Sequence, residues 1–167
     1  VEKLKVRMET RPKPYIYFMP EWVGAFEKLL QQDPVYKSLA LPDWNGAVVL
    51  HVLRNPDYGV TQDIYVYLDL WRQECRSIRI VPEAFGKQGT FVISGAIERW
   101  MAVGKKQLDP VKGMMQGKLK LKGNLPAIVR AIKPALRLVA ISAEVGGRMP
   151  DEWTAADIED VRNTIEE

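Results

Sequence analysis

Histidine and cysteine are almost missing from this chain: 167 residues contain one of each, His51 and Cys75. A lone cysteine excludes an internal disulfide, and a lone histidine without a cysteine cluster leaves zinc no ligand set. No apolar run approaches the roughly 18–20 residues needed to span a bilayer, which excludes a membrane-spanning helix. The N-terminus has no apolar secretory segment, and the C-terminus reads Thr-Ile-Glu-Glu where a peroxisomal address would read Ser-Lys-Leu. A reducing cytoplasm is therefore the expected setting. The chain begins at Val1, so residues before it are left open.

The chemistry of catalysis is equally sparse. Gly86 to Gly89 is too thin for a phosphate loop, and the acidic pairs Asp57/Asp63 and Glu74/Glu83 follow no motif spacing. His51 falls in a predicted strand on the side of Ala47, Val49 and Leu53 and is expected to be structural. Cys75 is expected to be inert, although Arg72 and Arg76 would lower its pKa if they approached it in space. No catalytic residue, no metal and no cofactor is assigned, and the chain is not expected to be an enzyme.

What is present is an ordinary globular composition, 47% hydrophobic and 27% charged, with a net charge of +3 that is unevenly spread. Lys105 to Arg137 holds nine basic residues against one acidic, whereas Asp151 to Glu167 holds seven acidic against one basic. A basic face attracts phosphate on nucleic acid, on lipid head groups or on an acyl-CoA, and charge alone does not choose among them. The lysines lack interleaved exposed aromatics for base stacking, which argues against nucleic acid. They also serve as plain edge-strand protection.

Periodicity gives the element order. Residues 1–19 are basic and proline-bearing, with an aromatic cluster at Tyr15, Tyr17 and Phe18, and read as an extended arm that packs on the core or on a partner. Trp22, Phe26, Leu29 and Leu30 form a helical stripe over Glu21–Gln32, which Asp33-Pro34 ends, with a short continuation from Tyr36 to Leu39. Gly46–Arg54, Ile64–Trp71 and Ser77–Val81 read as an antiparallel meander, and Thr90–Ile93 as a fourth strand. Ser94 is the candidate cap of a helix carrying Ile97, Trp100 and Met101 and ending at Gly104. Thr154, with Asp157 three residues on, opens a C-terminal helix with a stripe at Ile158, Val161 and Ile165.

The stretch Gly104–Val139 joins these parts. Asp109-Pro110 is an N-cap followed by proline at the first helical position, so a helix starts there and stops at Gly117. Lys118–Lys122 alternates, with Leu119 and Leu121 on one face and three lysines on the other. Asn124 caps a helix whose Leu125, Ile128, Val129, Ile132, Leu136 and Val139 share one side, opposite Arg130, Lys133 and Arg137. Pro134 should kink or split it. The sum is an α+β fold, a five-stranded, mostly antiparallel sheet covered on one face by helices.

On Gly104, Lys105, Leu108, Asp109, Pro110, Gly117, Lys118, Leu119, Lys120 and Gly123, the chain resembles the sterol carrier protein type 2 family. The likeness is clearest from Thr90 to Val139, and the order of elements fits back to about Pro20. It departs from the family by one extra residue between Gly104 and Asp109, and by Met114 where phenylalanine is common. The resemblance implies a domain over residues 20–141 with an apolar tunnel between sheet and helices, the acidic tail at 142–167 lying outside it. Adaptable methionines suit ligands of varied shape. Expected cavity-lining residues are Phe91, Ile97, Trp100, Met101, Met114, Met115, Ile128, Ile132 and Leu136. Arg130, Lys133 and Arg137 are expected to meet a head group or an anionic membrane surface. The implied ligand is a fatty acid, fatty acyl-CoA or sterol-like lipid, with no nucleic acid partner. A homodimer and a filled-core interaction module remain the alternatives.

Overall fold

The computed structural model describes residues 15–166, and residues 1–14 of the expected arm lie outside them. Helix α1 (Pro20–Gln32) buries Trp22, Phe26 and Leu30, the stripe expected from their spacing. It gives way at Asp33, whose carboxylate accepts from the Tyr36 amide at 2.7 Å and so caps the six-residue α2 (Pro34–Leu39). Strands β1 (Val48–Val52), β2 (Ile64–Trp71) and β3 (Glu74–Val81) follow, then the short α3 (Glu83–Gly86) and β4 (Phe91–Gly95). Helices α4 (Ile97–Gly104) and α5 (Pro110–Met115) lead into β5 (Lys120–Lys122). After that come α6 (Leu125–Arg130), α7 (Ile132–Val145) and α8 (Ala155–Glu166).

The sheet order is β3-β2-β1-β4-β5. Its pairs are antiparallel except β1 with β4, which run parallel in the register Leu50 beside Ile93. The sheet is therefore mixed but mostly antiparallel. Val48, Leu50, Leu68 and Ile93 point to the helical layer, and the intervening residues Val49, Tyr65 and Val92 form a smaller cluster on the outer face. Leu121 pairs with Ile93 on the inner side, while Lys120 and Lys122 are exposed. Helix α7 is the hub of the helical layer, packing on α1, α2, α4 and α5.

Two local readings are corrected. Ser94 caps no helix: it lies inside β4, and α4 starts from Ala96 without a side-chain cap. The Ser94 hydroxyl instead meets His51 Nδ1 at 2.7 Å. The third strand also begins three residues before Ser77, because the β2–β3 hairpin turns tightly at Arg72-Gln73. At the C-terminus the capping box forms reciprocally, Asp157 N–H donating to Thr154 Oγ1 at 3.1 Å and Thr154 N–H to Asp157 Oδ2 at 3.0 Å.

Candidate functional site

Between the inner face of the sheet and the helices lies an apolar cavity of about 120 Å³. Strands supply Val48, Leu50, Leu68 and Ile93, α1 supplies Trp22 and Phe26, and α7 supplies Ala135, Leu138 and Val139. An apolar void near that size, about 150 Å³, stays dry and accepts benzene, so a longer guest needs the wall to move. The adaptable part of the wall is thioether: Met114 lines it from α5.

The polar atoms around this space are mostly committed elsewhere. Trp22, Trp44 and Trp100 turn their indole N–H groups to the carbonyls of Gly146, Gly46 and His51, at 3.0, 2.9 and 3.1 Å. The rings are thereby left to present apolar surface inward. Ser142 donates to Val139 O at 2.7 Å within its own helix. Burial pushes the phenols of Tyr17 and Tyr36 far above their usual range, which keeps both neutral. Among the described residues, Arg72 is the one charged residue on the wall.

Of the nine residues expected to line a cavity, Trp100, Met114 and Ile128 do so. Ile97 is buried in the core, 1% exposed, and Phe91 stacks on Trp44 with ring centroids 4.9 Å apart, beside a second, more polar recess shared with Asp43 and Arg130. Met101 is half-buried off the wall, and Ile132 packs against the core from outside it. Met115 and Leu136 face solvent, 64% and 45% exposed. Met115 follows Met114 by about 100° around a short helix, which turns it away. Leu136 lies about 100° around α7 from Ala135, off the face that Ala135, Leu138, Val139 and Ser142 turn to the cavity, and the chain breaks between α6 and α7 at Ala131 (φ −98°, ψ 23°). The break stands where Pro134 predicts it, since a proline ring crowds the carbonyl four residues back.

The three basic candidates separate. Arg137 donates to Asp33 through Nε at 2.8 Å and a terminal nitrogen at 2.7 Å, a strut between α7 and α2. Arg130 reaches Asp43 at 3.3 Å with both side chains exposed, and Lys133 is exposed. Sequence reasoning missed Tyr17, Phe18, Trp44 and Arg72 as wall residues. Their hydrophobicity or charge was visible, but their convergence depends on loop packing far apart in the chain.

Cys75 is buried, and its thiol is pushed up to about 12, chiefly by that burial and further by Glu27 and Asp69. The arginines near it in sequence are engaged elsewhere: Arg72 lies over Trp71, and Arg76 bonds Asp69 at 2.9 Å. His51 stacks on Tyr65 on the outer face, with rings 4.2 Å apart, and holds Asp63 at 2.8 Å through Nε2. It ties β1 to β4 through Ser94 and to the loop before β2 through Asp63. Among the described residues no group of three or more His, Cys, Asp or Glu side chains is placed to hold a metal ion. No helix among them is long and apolar enough to cross a membrane.

Against known proteins, residues 26–134 match the model of the SCP-2 sterol transfer family. Among solved structures, a crystal structure of sterol carrier protein 2 is 31% identical with a TM-score of 0.67, over 74% of this chain and 95% of that one. A conserved hypothetical protein from Thermus thermophilus is 29% identical with a TM-score of 0.72, over 82% of this chain and 94% of that one. The sterol carrier protein domain 2 of Helicoverpa armigera, 14% identical over 78% of this chain and 95% of that one, has a TM-score of 0.51, a likeness of fold. The chain matches no curated protein.

Proposed function

We infer that this chain, which belongs to the SCP-2 sterol transfer family, is a non-enzymatic carrier that shelters an apolar lipid between its sheet and its helices. The observation that carries this reading is the cavity itself, a void whose walls turn aromatic faces and aliphatic chains inward and spend their hydrogen bonds outward. A filled core would leave no such space at native packing density. Each methylene moved from water into the cavity contributes about 0.8 kcal/mol, so affinity would rise with chain length until the wall stops yielding.

The interrupted pair α6 and α7 is the natural gate. Ile128 and Ala131 sit on the wall, while Val129, Arg130 and Lys133 face outward. An exposed apolar residue beside two exposed cations suits transient contact with an anionic membrane surface, where cargo would be loaded or released. Arg137 takes no part in that contact, being bonded to Asp33. A cytoplasmic setting fits the free Cys75.

Native mass spectrometry of the freshly purified protein, followed by organic extraction, tests the carrier reading. A co-purified acyl lipid or polycycle near one-to-one is the expected result. A bare mass that stays bare after incubation with acyl lipids would overturn it in favour of an interaction module.

A further inference from the structure

The cavity and the recess beside Phe91 have a wall in common. Leu41 and Trp44 line both spaces, while Asp43, Asn45 and Phe91 line the recess alone. Helix α6 divides between them in the same way. Ala127 and Arg130, three residues apart and so on one face, line the recess, whereas Ile128 and, at the break, Ala131 line the cavity. A single layer therefore separates the apolar interior from a recess with polar sides, the 41–45 loop forming one leaf and α6 the other. Asp43, Asn45 and Arg130 are exposed, so the recess stands at the surface, and Leu41 and Trp44 are half-buried between the two spaces.

The two leaves are held together weakly. Across the seam Arg130 meets Asp43 at 3.3 Å with 63% and 71% of the side chains exposed, a pair that water screens. The rest of the helical layer is better fastened: α7 packs on α1, α2, α4 and α5 and is tied to α2 by the two short Arg137–Asp33 bonds. Helix α6 has six residues, closed at one end by the Asn124 cap and at the other by the Ala131 break, which lets it tilt without dragging α7 along. In the other leaf the Trp44 backbone is fixed, its carbonyl accepting from the Arg72 N–H at 2.6 Å. The Trp44 ring is held by stacking on Phe91, 4.9 Å away at an interplanar angle of 22°, and by its indole N–H, which donates to Gly46 O within the same loop. Turning the ring off Phe91 costs that stack and one hydrogen bond, which water in the recess can replace.

We propose that this seam is the portal of the cavity and that Trp44 is its door: cargo passes when the indole leaves Phe91 and the recess runs through into the apolar space. The portal rests on the carrier reading and adds to it the route of the cargo and the residue that sets its rate. It also answers the size of the void. A long guest needs a wall that moves, and this wall is held by one exposed ion pair and one ring stack.

The test uses the whole chain, with stopped-flow uptake and release of a fluorescent long-chain fatty acid as the readout. Asp43→Cys with Arg130→Cys puts a thiol on each leaf, to be bridged by a bis-methanethiosulfonate linker that reductant removes; the buried Cys75 takes no part. Bridging the empty protein should abolish uptake, bridging the loaded protein should abolish release, and reductant should restore both. Capping the same two thiols singly with methyl methanethiosulfonate should leave exchange running, which separates the bridge from the modification. Trp44→Ala should speed uptake and release together, roughly 2- to 12-fold, the scale of a lost aromatic pair. Trp44→Phe should fall between it and wild type. A residue that only packs against cargo would speed release alone. Exchange unchanged by the bridge, or a Trp44→Ala effect confined to release, would overturn the portal while leaving the carrier reading standing. No binding of the probe by wild type would sink the carrier reading, and the portal with it.

Discussion

The Asp33 carboxylate gathers three donors at once: the Tyr36 amide at 2.7 Å and the Arg137 guanidinium at 2.7 and 2.8 Å. The Arg137 hydrogen bonds above all hold its pKa below the usual carboxylate range; burial opposes them, and the Tyr36 amide adds a lesser lowering. A depressed carboxyl pKa means that the native state favours the ionised form. The resulting stability is fully present above the unfolded value, about 3.9, and is lost as pH falls through the native one. Asp33→Ala is therefore expected to cost about 1 kcal/mol at pH 7 for the cap alone. The gap from wild type in urea unfolding should shrink at pH 3; a gap that stays constant would show that ionisation of Asp33 does not matter. The same residue explains why the sequence offers Arg137 for a head group: its pairing with Asp33 could not be read there. Its charge was visible on the polar side of an amphipathic helix, but its partner lies 104 positions away. Cys75 teaches the converse, since proximity in sequence to two arginines meant nothing once the thiol was buried beside Glu27 and Asp69.

At the scale of elements, most of the fold was legible because most of it is local. The stripe of α1, the β2–β3 alternation, the caps at Asp109 and Asn124 and the box at Thr154 are patterns within a few residues, and each forms. Two things were not local. The parallel pairing of β1 with β4 joins strands separated by a whole meander, and no periodicity within either strand encodes its partner. The register of α7 was lost in another way. Pro134 marks the interruption at Ala131, but the stripe drawn through Ile132 and Leu136 lies to one side of the face that Ala135, Leu138 and Val139 turn to the cavity, so Leu136 stands in solvent. That break leaves α6 a short piece whose outward side carries Val129 and Arg130, with Lys133 just beyond. If this face meets anionic membrane, Arg130→Glu with Lys133→Glu should slow lipid transfer to phosphatidylserine vesicles by about tenfold or more. Each basic residue near such a surface contributes about 1 kcal/mol, and the exposed Arg130–Asp43 pair contributes little to folding. Transfer to neutral vesicles should be unchanged. An equal loss on both vesicle types would point to damage to the gate itself, and no loss on either would remove the docking face.

For the whole molecule, the segments flanking the family match at 26–134 are joined to each other and to the cavity wall. Tyr17 N–H donates to Arg148 O at 3.2 Å and Arg148 N–H to Tyr15 O at 2.8 Å, a short parallel clasp between the two ends of the described chain. Arg148 continues into Asp157, bonding it at 2.7 and 2.9 Å, and Asp157 in turn closes the capping box with Thr154 at the start of α8, whose Val161 is fully buried. Helix α8 sits so close to the turn at Gly59 (φ +77°) that a Cβ there would stand 2.4 Å from the Ile158 carbonyl. The clasp holds Tyr17, Phe18 and, through Gly146, the indole of Trp22, three residues of the cavity wall. The wall is thus finished by segments that sequence alone reads as an arm and a tail, because neither carries a long apolar run of its own. Breaking the clasp at a point that touches no cavity atom should then be felt inside it. Asp157→Ala removes the side-chain half of the capping box and both Arg148 hydrogen bonds to that carboxylate, and is expected to cost about 2–3 kcal/mol. Under the carrier reading it should also weaken lipid binding, measured well below the variant's melting temperature, because Tyr17 and Phe18 lose the backing that positions them. Reduced stability with unchanged affinity would make the flanks a brace for the fold alone; a joint loss would make them part of the container.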